Sequence, residues 1–260
     1  MGLKDSIKGW FEGDKKKEAF RDKVKEAVSD GRLDANDLKE IEEVRQELGV
    51  TDARDDRTVI RKAIYNEAVA AVRKDGEVTQ TDAHELDKIQ KFLALRNDQV
   101  ETTRWDLARL RTLTEIRNGN LPMVPSNNAS LRGVQMEPDE VAHYSVSVEL
   151  GDMPTTRGSD GVALEWGKPY ETYSAAAHAM VADAIRPQGE GSIIVTNRRL
   201  IIKTASGKTA AVRFGPQAKI FLYSDGLRLE KTVGNTVLRF KSKSDEIAEI
   251  VAELLAAVMK

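Results

Sequence analysis

Five aspartates stand at or just after two Asp-Gly dipeptides: Asp30, Asp34 and Asp37 around Gly31, and Asp75 and Asp82 around Gly76. Oxygen-rich turns suit a hard cation such as calcium, whose EF-hand loop needs ligands at positions 1, 3, 5 and 12 and glycine at 6. With Gly31 in the glycine place, the ligand places hold Glu26, Val28, Asp30 and Asp37. With Gly76 there, they hold Ala71, Arg73, Asp75 and Asp82. Apolar or cationic residues fill required places in both loops. The expectation is two capped helix–turn–helix units with no resident metal; an irregular site built from the five aspartates is the alternative. His84, His143 and His178 lie far apart, and no two have metal-ligand spacing. The chain has no cysteine, which removes disulfides, thiolate zinc sites, iron–sulfur clusters and a cysteine nucleophile. It has neither a phosphate loop nor a Gly-x-Ser-x-Gly elbow. No enzyme and no cofactor are expected.

Anion binding is the second chemistry on offer. The net charge of −2 hides a polarised distribution. Residues 121–185 carry a net −6, residues 186–243 a net +9, and residues 244–260 a net −3. In the basic block, Arg198, Arg199, Lys203 and Lys208, with Arg213 and Lys219, come from neighbouring strands and turns. Such residues make charge-assisted bonds to phosphate or carboxylate. Near an anionic membrane each contributes about 1 kcal/mol. The competing reading is that the acidic segments neutralise this surface within the molecule. Nucleic acid is not indicated, because aromatics are 5% of residues and no stacking strand is visible.

Leu3, Ile7, Trp10 and Phe11 recur at helical spacing, and Lys15-Lys16-Lys17 follow. A short helix of this kind can dock on its own protein's core, lie in a membrane interface or meet a partner. Glu12-Gly13-Asp14 is expected to break it, which sets residues 1–14 apart. The amino terminus lacks the uncharged apolar stretch of a secretory signal. No run approaches the roughly 18 apolar residues of a membrane span.

The elements that position these groups differ between the two halves. Residues 15–118 contain no proline and are periodic at helical spacing. Phe20, Val24, Ala27 and Val28 share a face, as do Leu38, Ile41, Val44 and Leu48. The pattern repeats at an offset of 45 residues: Phe20 with Tyr65, Val24 with Val69, Gly31 with Gly76, Leu33 with Val78, Asp37 with Asp82, Ile41 with Leu86, Val44 with Ile89 and Leu48 with Leu93. Asp34 and Thr79 occupy N-cap positions. Residues 121–134, with two prolines and Ser126-Asn127-Asn128, read as a linker. After them come short strands: Val141–Leu150, Val162–Trp166, Ser192–Val195, Leu200–Lys203, Lys208–Phe214, Lys219–Tyr223, Leu227–Lys231 and Val237–Phe240. Tyr173–Ile185 is alanine-rich and reads equally as helix or strand. A last helix follows, with Ser244 as its N-cap. The fold class is α+β in two domains. An all-α domain of repeated helical hairpins precedes a small β-barrel or bent sheet closed by the C-terminal helix.

Two resemblances follow from quoted stretches. Ala27-Val28-Ser29-Asp30-Gly31-Arg32-Leu33 and Ala71-Val72-Arg73-Lys74-Asp75-Gly76-Glu77-Val78 make residues 15–120 resemble the tellurite-resistance TerB-like helical domain. That resemblance implies a bacterial, stress-linked, membrane-associated system with metal binding through acidic residues. The usual run of glutamates after the turn is replaced by Asn36-Asp37 and Thr81-Asp82. Gly191-Ser192-Ile193-Ile194-Val195-Thr196-Asn197-Arg198-Arg199-Leu200-Ile201-Ile202, with the terminal helix, makes residues 135–260 resemble the bacterial pleckstrin-homology-like, or GRAM-like, fold. Families of that fold bind lipid headgroups, peptides or other subunits, so fold does not fix function. The expected function is a non-enzymatic bacterial adaptor or assembly protein with a protein partner, cytoplasmic or peripheral at the inner face of the membrane. The alternatives are a peripheral membrane stress sensor binding anionic lipid, and a metal-responsive stress-resistance protein. The binding residues expected are Leu3, Ile7, Trp10, Phe11, Arg198, Arg199, Lys203 and Lys208.

Overall fold

Phe20, Val24 and Val28 repeat every fourth residue, and this stripe seats the first helix, α1 (Leu3–Ala27), on the core of the helical half. The computed structural model describes residues 3–50, 58–74, 76–153, 161–167, 178–180, 185–230 and 234–260, with side chains from residue 15 onward. Helix α1 runs unbroken through Glu12-Gly13-Asp14, where the sequence predicts a break. One interior glycine costs only about 1 kcal/mol relative to alanine, and each residue that continues a helix adds a hydrogen bond.

Four further helices follow: α2 (Ala35–Leu48), α3 (Thr58–Val72), α4 (Gln80–Phe92) and α5 (Glu101–Arg117). The repeat is real in the packing. Phe20 and Tyr65, Val24 and Val69, Leu33 and Val78, and Ile41 and Leu86 are all buried in one core. Ile89 and Leu93 are buried there too, and their counterparts Val44 and Leu48 pack on it half-buried. Leu38, placed on the same stripe by the sequence, is exposed instead, which narrows the buried face of α2.

The helix ends repeat as well. Asp34 Oδ1 accepts from the Asn36 and Asp37 amides at 2.7 and 2.9 Å, and Asp37 Oδ2 accepts from the Asp34 amide at 2.8 Å. Thr79 and Asp82 form the same reciprocal box on α4. At the other end, Gly49 (φ +66°) closes α2 in a left-handed turn, with its amide on Gln46 O and that of Val50 on Arg45 O. The offset puts Ala94 at the equivalent place on α4, with φ +48° and the same two bonds from Ala94 and Leu95. Arg61 Nη1 holds this turn by donating to Leu93 O and Ala94 O, both at 2.9 Å. Alanine pays for the left-handed conformation where glycine does not. Ala94→Gly is therefore expected to stabilise the helical half by about 0.5–1 kcal/mol, after allowance for glycine's greater freedom in the unfolded chain. Urea titration followed by helical circular dichroism checks it, and a lower midpoint contradicts it.

The second half is one antiparallel sheet with a terminal helix. Its strands are β1 (Ala142–Met153), β2 (Val162–Leu164), β3 (Arg186–Thr196), β4 (Arg199–Thr204), β5 (Thr209–Arg213), β6 (Ile220–Tyr223), β7 (Gly226–Glu230) and β8 (Asn235–Phe240), and the helix is α6 (Ser244–Val258). The spatial order is β2-β6-β7-β8-β1-β3-β4-β5. Strand β1 sits in the middle and pairs with β3 on one side and β8 on the other. The two ends, β2 and β5, do not pair, so the sheet is open and not a barrel. Helix α6 buries Ile247, Ala248, Ile250, Val251, Ala252, Leu254 and Leu255. It packs on β3, β6 and β8.

Three details depart from the sequence reading. Strand β3 starts at Arg186 rather than near Gly191, because β1 extends to Met153 and offers partners as far as Asp152 opposite Arg186. Lys243 (φ +46°), not Ser244, stands at the N-cap of α6, and its carbonyl accepts from the Ile247 amide at 3.0 Å. Ser244 is already helical and bonds Asp245. Most of Tyr173–Ile185, namely 173–177 and 181–184, lies outside the described residues. The chain divides into two compact units, 1–114 and 115–260. Mixed α+β is thus the class.

Candidate functional site

The residues that read as a linker lie on the sheet as a strap. Val124, Leu131, Val134 and Met136 pack over Ala142, Ile194 and Ile201 on one face of β1, β3 and β4. The Val124 amide donates to Ala142 O at 2.8 Å. His143 Nδ1 lies 2.7 Å from Pro122 O, so this nitrogen carries the proton, because a carbonyl only accepts.

The Thr-Asn-Arg-Arg turn between β3 and β4 grips the end of that strap. Asn197 Oδ1 accepts from the Val141 amide at 3.0 Å, and Asn197 Nδ2 donates to Asp139 O at 3.1 Å. The Thr196 hydroxyl accepts from the Arg198 and Arg199 amides and lies 2.8 Å from Glu140 Oε1. Arg199 completes the clamp: Nε donates to Glu140 Oε1 at 2.8 Å, while Nη2 reaches Glu140 Oε2 at 2.9 Å and Gln135 O at 2.7 Å. The Glu140 side chain is fully buried. Burial pushes its carboxyl up, but the bonds from Arg199, the Glu137 amide and Thr196 outweigh that, and the net shift is below the ordinary value.

Most of the expected binding cations are engaged in the same way. Arg198 pairs with Glu137 at 3.7 Å, and Arg213 also pairs with Glu137. Lys203 Nζ donates to Arg132 O at 2.6 Å and Ser130 O at 3.2 Å. Lys219 pairs with Glu230 at 2.6 Å. Lys208 is exposed and forms no ion pair among the described residues. The charge polarity of the sequence therefore has a structural use, because the acidic stretch supplies Glu137 and Glu140 to the basic block. The strap and strands β4 and β5 enclose an open groove of about 750 Å³, lined by Gly133–Pro138, Arg199, Ile201 and Thr209–Ala211.

No protein-family model matches this chain, and no curated protein does. The functional reading therefore rests on the geometry.

The other predicted residues are placed as follows. Asp34, Asp37 and Asp82 spend carboxylate oxygens on helix-cap amides. Asp30 Oδ1 accepts from the Arg32 amide at 2.9 Å, and Asp75 lies outside the described residues. Among the described residues, no three histidines, aspartates or glutamates form a metal-sized group. The bonds from Asp37 and Asn36 amides hold the Asp34 carboxyl below its ordinary value. Calcium is expected to leave the melting temperature unchanged, and Asp34→Ala to lower it. A calcium-dependent rise lost in Asp34→Ala contradicts the reading. His84 and His178 are exposed, on α4 and between β2 and β3, and His143 is buried under the strap.

The side chains of Leu3, Ile7, Trp10 and Phe11 lie outside the described ones, but their backbone belongs to α1. Among the described residues, no helix is long and apolar enough to cross a membrane.

Six carboxyls among the described residues, Asp34, Glu42, Glu85, Asp98, Glu140 and Glu230, lie below their ordinary values and set an acid limit. A lowered folded-state value stabilises the fold above the unfolded value, near 4, and the gain is lost as pH falls through the folded one. Stability is therefore expected to be level from pH 7 down to about 5 and to fall below about 4. Denaturant titrations at several pH values check this. Stability that rises on acidification through that window contradicts it.

Proposed function

We propose that the protein is a non-enzymatic bacterial adaptor that binds a protein partner, with a TerB-like helical unit joined to a pleckstrin-homology-like unit. The carrying observation is how the basic block is spent. Arg198, Arg199, Lys203 and Arg213 hold the strap to the sheet, and the feature left open beside them is the groove between strap and β5. A headgroup site would need those cations free to meet phosphate. The family assignment is supported by the duplicated helix pair with its Asp-Gly turns. It is also supported by a sheet in which β1 links the β3-β4-β5 and β6-β7-β8 meanders beneath α6.

One observation favours the second reading, a peripheral membrane sensor. The apolar positions 3, 7, 10 and 11 recur at helical spacing on α1 and precede three lysines. The two readings separate in one experiment. A photo-crosslinking residue at Gln135, exposed at the groove, is introduced in the native host, with the same residue at exposed Val59 as the control. The adaptor reading expects one discrete protein adduct from position 135 and none from 59. It is overturned if position 135 gives no protein adduct while the purified chain floats with anionic vesicles in a salt-sensitive manner that depends on Trp10.

A further inference from the structure

Strand β5 ends the sheet, and the hydrogen-bond parity of the β4–β5 hairpin decides what it presents. The Thr204 amide donates to Lys208 O at 2.9 Å, and the Phe214 amide to Arg198 O at 3.0 Å. Between these two bonded pairs the register runs Lys203 opposite Thr209, Ile202 opposite Ala210, Ile201 opposite Ala211, Leu200 opposite Val212 and Arg199 opposite Arg213. Bonded and non-bonded pairs alternate in an antiparallel ladder. Lys208, Ala210, Val212 and Phe214 therefore turn their amides and carbonyls toward β4. Thr209, Ala211 and Arg213 turn theirs outward. Those outward groups make no backbone hydrogen bond to any described residue, and all three residues are exposed. The groove runs along this edge, and its β5 side is lined by Thr209, Ala210 and Ala211, whose small side chains let another backbone approach.

We propose that an extended, carboxylate-bearing segment of a partner protein adds to β5 as a further antiparallel strand, seated in the groove against the strap. This rests on the adaptor reading and names the partner's chemistry. Main-chain bonds to an open edge supply affinity, and side chains at alternate positions supply selection. The selection here is by charge. Lys208, exposed and without an ion pair among the described residues, leads into the strand, and exposed Arg132 lies on the adjoining strap. Glu137, inside the groove, is already matched by Arg213, Arg198 and Arg199. The same charges disfavour a second copy of this chain. Antiparallel pairing of two β5 edges about Ala211 would set Lys208 of each copy opposite Phe214 of the other and Thr209 opposite Arg213, with no carboxylate on either edge to meet these cations. The arrangement guards a short edge against self-association and leaves it open to an acidic strand.

The probe is a labelled, blocked peptide of four Glu-Val repeats, titrated at low salt against the full chain by fluorescence anisotropy. A Lys-Val peptide and a Glu-Val peptide N-methylated at alternate residues serve as controls. Saturable binding of the Glu-Val peptide alone is expected, together with slowed amide exchange at Thr209, Ala211 and Arg213. Ala211→Pro removes an outward amide that β4 does not use, a placement that edge strands tolerate, and should weaken binding at least tenfold. Lys208→Glu should weaken it several-fold. Unchanged exchange in the peptides covering β3 and α6 shows that each variant is folded. The proposal is overturned if the Glu-Val peptide does not bind, if both charged peptides bind alike, or if Ala211→Pro binds as well as wild type. It is also overturned if the free protein sediments as a dimer that Ala211→Pro dissolves. If the position-135 adduct forms equally in Ala211→Pro, strand addition fails while the adaptor reading stands.

Discussion

Glu140→Ala is expected to cost the β unit about 3 kcal/mol, at the lower end for breaking a buried ion pair. The mechanism is the stranded partner. Arg199 is 17% exposed, and without Glu140 its guanidinium keeps Gln135 O and a longer contact with Glu137 at 3.6 Å. The Thr196 hydroxyl loses its carboxylate neighbour as well. Removing both charges should hurt less than removing one, because the remaining cost of desolvating a lone cation disappears. Glu140→Ala with Arg199→Met is therefore expected to recover a large part of the loss. Hydrogen exchange read on β3–β4 peptides localises the effect to the sheet. A double variant no more stable than the single one would show that the pair stabilises through packing, not charge.

Gly31→Val is expected to cost the helical unit about 2–5 kcal/mol, against about 1–2 kcal/mol for Gly76→Val. Both glycines are left-handed, at φ +80° and +77°, so both substitutions pay for the conformation. Only the first also pays for space. A Cβ on Gly31 runs into Val72 Cγ2 and stands 3.2 Å from Ala68 O, whereas one on Gly76 meets nothing within 4 Å. Two positions equivalent in the repeat thus differ because the first turn packs against α3. Chemical denaturation read on α2–α4 peptides should separate the two variants clearly. Equal losses would mean that Val72 swings aside without penalty.

The helical half was largely legible in the sequence, because its information is local. Caps, turns and stripes are encoded within a few residues, and Asp34, Thr79, Ile41 and Leu86 sit where spacing puts them. The β half was legible strand by strand, since alternation and glycine breaks are local too. Its assembly was not. Residues 121–134 look like a linker because prolines, serines and asparagines dominate them. The signal missed was the scatter of Val124, Leu131, Val134 and Met136, which make sense only against Ile194 and Ile201. The partners of the basic block were not legible for the same reason. Glu140 and Arg199 are 59 residues apart, and composition carries no account of which charges meet. The Thr196-Asn197-Arg198-Arg199 turn was recognised as a fold signature, but its grip on Asp139, Glu140 and Val141 needed the structure. The Ala94 turn was missed because alanine gives no hint of a left-handed backbone, although the 45-residue offset from Gly49 pointed to it.

The central place of β1 also governs how this chain leaves the ribosome. Val148 pairs with Phe240, about 90 residues further along. At 5–20 residues per second, the nascent chain waits on the order of 10 s between making the first strand of the sheet and making its last neighbour. Through that interval the β8-facing side of β1 has no native partner, and the later hairpins can complete only one flank of the sheet. The helical unit has no such delay, since its repeats meet partners made shortly before or after them. Synthesis from the amino terminus thus lets one unit mature while the other stays an open edge, and the β unit is the part that most needs a holding chaperone.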